Sequence, residues 1–293
     1  MKKILFLCML FVSLAVSADT CFPNNTLRYP KDAKSTSLTK EQFEESIRRV
    51  GSIYGQIFSD EYKATLVIED HWDDDTVNAY AFQEGDQWHV AMFGGLARAP
   101  QTTQDGFEAV ICHEIGHHVG GAVRYPLANF SSSNNWASSE GQADYFATSK
   151  CLKKVFTADL ERSLDIYHQG NFTPDEEFAK SQCESVYKSE AEAAVCFRTA
   201  LAGQSLAKLL SSLGGDGKVS FKTPDKKVAR STVHSHPQAQ CRMDTYFQGG
   251  LCDKSDLIFP SATDVTVGYC TLKEKYKIGI RPACWYKASE YEK

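Results

Sequence analysis

His113-Glu114-Ile115-Gly116-His117 is the stretch that decides how this chain is read. On a helix, residues four apart stack on one face, so both imidazoles can reach one metal ion. Glu114 then stands beside that ion, placed to take a proton from a metal-activated water. With 8 His in 293 residues, such a match is expected by chance on the order of 0.01–0.02 times per chain. Working outward, Gln104 to Cys112 leads into the motif, and Phe107, Val110, Ile111 and Ile115 recur at helical spacing that would bury one side. Thr103 or Asp105 can cap the start, and Gly120-Gly121 suits the end. Two imidazoles and a carboxylate in one buried turn need a partner that neutralises them.

The residues that follow select the kind of site. A third histidine at position 123 would complete HExxHxxGxxH; Gly120 falls in register, but position 123 is Val123. A carboxylate ligand must then come from a second helix. Asn134 to Phe156 has the pattern of one, with Ser131-Ser132-Ser133 as caps. On it Glu140 and Asp144 lie four apart and share a face. Glu140 is the natural third ligand, and Asp144, one turn on, could hold a ligand histidine by its other ring nitrogen. Gly141 and Ala143 are small enough to let the two helices approach closely.

Together with Glu140-Gly141-Gln142-Ala143-Asp144, the first motif resembles the HExxH…ExxAD signature of the HtpX and CAAX-prenyl-protease type of zinc endopeptidases, a gluzincin pattern. Asn78-Ala79-Tyr80-Ala81, with the strand running on to Gly95-Leu96, resembles that family's NAFA segment. His236-Pro237 with Arg242 resembles its HP…R motif. The resemblance spans roughly residues 63 to 246. It implies an α+β, mainly α-helical fold: a zincin-like core with a small β-sheet beside the metal-binding helices. It also implies one Zn2+ per chain held by His113, His117 and Glu140, with Glu114 catalytic and Asp144 orienting a ligand histidine. His236 and Arg242 are expected near the metal. For His236 three roles stand open: transition-state donor, reversible fourth ligand, or surface histidine. Asn78 and Ala79 are expected on an edge strand that pairs with a substrate backbone.

Met1-Lys2-Lys3, the apolar run Ile4 to Val16 and the small residues Val16-Ser17-Ala18 form a secretory leader, so residues 1–18 are expected to be a signal peptide. Many members of the resembled family span membranes. Beyond the leader this chain has no apolar run of about 18 residues or more, so no transmembrane segment is expected after cleavage. Of 10 cysteines, Cys8 lies in the leader, and an exported chain is expected to pair the rest. The remainder is odd. Cys112, inside the metal helix, is expected to be the free thiol, with Cys21, Cys151, Cys183, Cys196, Cys241, Cys252, Cys270 and Cys284 forming four bridges. A formal charge of −5 gives no reason to expect nucleic-acid or anionic-lipid binding.

Residues 19–249 are expected to form the metalloprotease domain and 250–293 a disulfide-rich C-terminal segment. Residues 19–40 have the composition of a polar extension, Leu38 to Ile57 that of a helix, and Ala64 to Ile68 that of a strand. Val77–Phe82 and Trp88–Phe93 alternate around Glu84-Gly85-Asp86 as a hairpin. Thr173-Pro174-Asp175 caps another helix, and a long helix from about Ser189 ends at Gly214-Gly215. The expected function is an exported, periplasmic or secreted zinc endopeptidase acting on protein or peptide substrates; the resemblance suggests envelope protein quality control. A zinc-bearing chaperone or interaction module, and a zinc hydrolase of non-peptide bonds, are the alternatives.

Overall fold

A computed structural model describes residues 21–32, 37–126 and 136–292. The leader and the Ser131–Ser133 caps lie outside the described residues. Helix α1 (Lys40–Ile57) starts at a capping box in which Thr39 and Gln42 satisfy each other's backbone amides, and it runs on through a π-helical turn to Tyr62. Strands β1 (Thr65–His71), β2 (Ala79–Glu84) and β3 (Gln87–Phe93) form one sheet in the order β1-β3-β2. The two-residue turn Gly85-Asp86 makes β2 and β3 an antiparallel hairpin, with Gly85 at φ 63°. β1 joins the far side of β3 in parallel, so β2 is an edge strand.

The sheet and α1 lean on α3 (Gln104–Val119), which follows the short helix α2 (Gly94–Arg98). Thr103 caps α3 by accepting from the Gly106 amide. The apolar spacing suggested burial of one side, but all of α3 is buried. Helices close over every face of it: α4 (Glu140–Phe146), which continues through a π-helical turn into α5 (Leu152–Ala158), and the long α8 (Glu190–Gly214). α6 (Leu160–Tyr167), α7 (Pro174–Val186) and α9 (Ala239–Leu251) pack around α8, and α10 (Ala288–Tyr291) is a last short turn. The described chain is thus mainly helical with one three-stranded sheet, compatible with α+β. Among the described residues no helix is long and apolar enough to cross a membrane.

Four expectations are corrected. The second metal helix begins at Glu140 rather than Asn134. Residues 136–137 turn and Ser138 and Ser139 run extended, with the Ser138 amide bonded to the His117 carbonyl at 2.9 Å, which draws the chain alongside α3 before it turns helical. Its close approach to α3 comes at Gly116, where a Cβ would stand 2.9 Å from the Ala143 carbonyl oxygen, while Gly141 faces the Trp285 ring. Cys112 is not the free thiol: it points away from the metal cluster and bridges to Cys151 in the π-helical turn, the Cα atoms 5.5 Å apart. The other bridges are Cys183–Cys196, Cys241–Cys284 and Cys252–Cys270, so the expected number of bridges holds, and among the described residues Cys21 is the unpaired cysteine. Nor is the N-terminal segment wholly a polar extension, because Cys21 and Phe22 are both 0% exposed.

Candidate metal centre

α3 and α4 cross so that His113 and His117, one turn apart, face Glu140 in the first turn of α4. The two Nε2 atoms are 3.1 Å apart; His113 Nε2 is 3.3 Å from Glu140 Oε2 and His117 Nε2 is 3.5 Å from Oε1. Each imidazole is turned by its other nitrogen. His117 Nδ1 donates to the Ser138 carbonyl at 2.8 Å, and His113 Nδ1 faces Asp144 Oδ1 at 2.7 Å. In the neutral rings this leaves both Nε2 lone pairs aimed at one point, an arrangement that repels itself unless a cation lies between. A tetrahedral zinc site with bonds of about 2.0–2.2 Å sets its ligand atoms about 3.3–3.5 Å apart. The residues present therefore fit zinc in donor type, number and spacing.

Asp144 is itself gripped by Arg242 of α9, whose Nε and Nη2 each reach a carboxylate oxygen at 2.7 Å. Tyr246, one turn beyond Arg242, donates to Asp144 Oδ1 at 2.5 Å. Burial alone would raise the Asp144 carboxyl, but the Arg242 guanidinium and His113 hold it well below the usual carboxylate range. Glu140 behaves alike: burial opposes ionisation, yet the neighbouring His117 and His113 hold it down to about 2. Burial depresses His117 to about 4, suiting a neutral ligand ring. Glu114 differs from all of these. It is 0% exposed, neither carboxylate oxygen has a hydrogen-bond partner among the described residues, and burial pushes it up to about 8. A buried carboxyl without a donor is costly unless it works on something that enters the site.

His236 stands at the rim, its Nε2 3.4 Å from Glu140 Oε2 and its side chain 22% exposed. Asn78 and Ala79 lie at the start of β2, but their polar groups are engaged by the N-terminal segment: Asn78 Oδ1 accepts from the Phe22 amide at 3.1 Å, and the Ala79 carbonyl from the Cys21 amide at 3.0 Å. His118 is buried between Trp88 and Trp136, and His71 faces Glu69 at 2.8 Å, so neither joins the cluster. A groove of about 710 Å³ lined by Phe178, Phe221, Phe247 and Leu272 contains none of these residues, so the chemistry lies elsewhere. Sequence reasoning missed Tyr246, although its i+4 spacing from Arg242 was a usable signal. It also missed Cys21, whose thiol groups with His113 and Glu114 within 4.8 Å.

Among known families, the model of Peptidase family M48 matches residues 40–246 of this chain. The matched stretch includes His113, Glu114, His117, Glu140, Asp144, His236, Arg242 and Tyr246. No curated protein and no solved structure gives a match.

Proposed function

Because the chain belongs to peptidase family M48, we propose that this metallopeptidase is an exported zinc endopeptidase of the HExxH…ExxAD type, with Glu114 as its general base. The observation that carries the reading is the donor set. His113, His117 and Glu140 bring three ligand atoms within 4.8 Å of one another in a buried cluster, and Asp144 and the Ser138 carbonyl turn the two imidazoles so that each Nε2 faces the same point. A divalent ion held there would take up both lone pairs and the Glu140 carboxylate that burial leaves facing one another.

Zinc, when bound, would polarise the scissile carbonyl and acidify a water to a pKa of about 7. Glu114, next to His113 and with both oxygens unpartnered among the described residues, would take a proton from the attacking water and later return it to the leaving amine. Arg242 fixes Asp144, Asp144 fixes the ring of His113, and the Ser138 carbonyl fixes that of His117, so neither ring turns during turnover. His236 at the rim is near enough to Glu140 to face the reacting carbonyl. Backbone pairing along β2 would read the peptide chain more than its side chains, giving broad specificity. Four disulfides support a periplasmic or secreted setting.

Casein digestion by zinc-loaded mature protein and by Glu114→Gln tests the reading. Cleavage should fall by roughly 10²–10⁴-fold in the variant while its zinc content stays at that of the native protein. Equal cleavage by both would remove Glu114 from the reaction, and hydrolysis of an ester or glycan panel in place of casein would reassign the substrate.

A further inference from the structure

Residues 21–29 lie ahead of the segment matched by the family, which starts at residue 40, yet they run along the elements that should receive substrate. The contacts come in antiparallel order: the Tyr29 amide to the Asp75 carbonyl, a bridge between Arg28 and Thr76, Asn25 Nδ2 to the Val77 carbonyl, the Phe22 amide to Asn78 Oδ1, and the Cys21 amide to the Ala79 carbonyl. The hairpin register explains why Ala79 can accept. Glu84 pairs with Gln87 across the two-residue turn, so Glu84, Phe82 and Tyr80 spend their backbone groups on β3. Ala79, Ala81 and Gln83 turn theirs to the open edge. Cys21 takes the first of those outward positions, the one nearest the metal cluster.

The other side of the segment faces the reacting groups. Arg242 Nη1 donates to the Cys21 carbonyl at 2.8 Å, tying the segment to the guanidinium that holds Asp144. The thiol of Cys21 groups with His113 and Glu114 within 4.8 Å. Beneath it Glu114 is 0% exposed, although a general base must meet an entering water and peptide.

We propose that residues 21–29 are a built-in occupant of the substrate edge. They fill the Asn78–Ala79 position on β2, seat the Cys21 thiol over Glu114, and keep the folded chain latent until a substrate strand displaces them. The inference rests on the peptidase reading above. It adds that the resting enzyme is shut by its own N-terminal segment, and that opening exposes Cys21, the one unpaired cysteine among the described residues.

Cys21 therefore reports on the segment without reference to turnover. In zinc-loaded Glu114→Gln, a thiol reagent such as dithionitrobenzoate should react slowly with Cys21. Saturating cysteine-free casein should speed that reaction by roughly tenfold or more, as displacement populates the open form. Phe22→Ala, which loosens the segment, should cleave casein several-fold faster than the native chain. Should Phe22→Ala fail to fold, Asn25→Ala removes the half-buried tie to Val77 together with two exposed bonds inside the segment, to Pro23 and Leu27, and should shift both readouts in the same direction. Native cleavage of casein with Cys21 no more reactive in its presence, and no faster cleavage by Asn25→Ala, would make the segment a fixed wall and overturn latency alone. If native, Phe22→Ala and Asn25→Ala proteins all hold zinc yet neither bind nor cleave casein, the peptidase reading fails and latency falls with it.

Discussion

The first half of α3 carries Asp105 and Glu108; the second carries His113, Glu114 and His117. Both halves are buried, and each faces carboxylates from elsewhere in the chain. In the first, Arg198 grips Asp105 with two bonds of 2.9 Å and reaches Asp159 at 3.0 Å. Arg49 stands 3.1 Å from Glu108, and Arg162 3.4 Å from Asp105. Arg49 also meets Glu45 at 2.7 Å, so every carboxylate named here has a guanidinium against it, and the cluster closes on itself. In the second, Arg242 is taken up by Asp144, neither oxygen of Glu114 has a hydrogen-bond partner among the described residues, and two imidazole nitrogens face one another at 3.1 Å. The same kinds of side chain on one helix thus give a structural network where each finds its partner and a candidate metal centre where Glu114 and the imidazole nitrogens do not.

The sharpest way to break the contrast is His117→Ala, which should abolish stoichiometric zinc and casein cleavage together while the chain stays folded by circular dichroism. Loss of cleavage with zinc retained would mean that the metal lies elsewhere. Arg198→Ala attacks the paired half: it leaves buried Asp105 with Arg162 alone at 3.4 Å and should cost about 3 kcal/mol in denaturant unfolding, with zinc content unchanged. Asp144→Asn keeps the shape but weakens the grip on His113, and metal affinity measured by competition with a chelator should fall about 10–100-fold.

The smallest effect concerns Glu108, which burial pushes up to about 7 against the pull of Arg49. A carboxyl with a folded pKa above its unfolded value binds extra protons in the folded state. Its contribution is therefore greatest below the unfolded value and is lost as pH rises towards 7. Between pH 5 and 8 the native chain should lose about 2 kcal/mol that Glu108→Gln does not, read from urea curves at each pH. Parallel curves would show that Arg49 keeps Glu108 ionised throughout.

Much of the metal cluster was legible because helical spacing converts directly into shared faces. His113 and His117, then Glu140 and Asp144, needed only the i, i+4 rule, and Thr103 and Thr173 announced their helices as caps. What was hidden depends on contacts between segments distant in sequence. Cys112 seemed the natural free thiol because it sits in the metal helix. Which way it points is set by the π-helical turn bearing Cys151, which no local pattern reveals. The start of the second metal helix was missed because residues 136–139 are kept out of the helix by the bond from Ser138 to His117, not by any breaker of their own. Residues 19–40 have a polar composition, yet two buried residues within them, Cys21 and Phe22, decide what covers β2. The parallel placement of β1 beside β3 likewise follows from packing on α1 and α3, whereas the hairpin was written in Gly85-Asp86.

The central claim is that the second half of α3 is completed by a divalent ion. Zinc content and thermal midpoint, measured on zinc-reconstituted native chain and on Glu114→Gln before and after chelation, test it most directly. The account predicts one zinc per chain in both proteins and a lower midpoint for both once the metal is removed. No stoichiometric metal in either, with midpoints indifferent to the chelator, would contradict it.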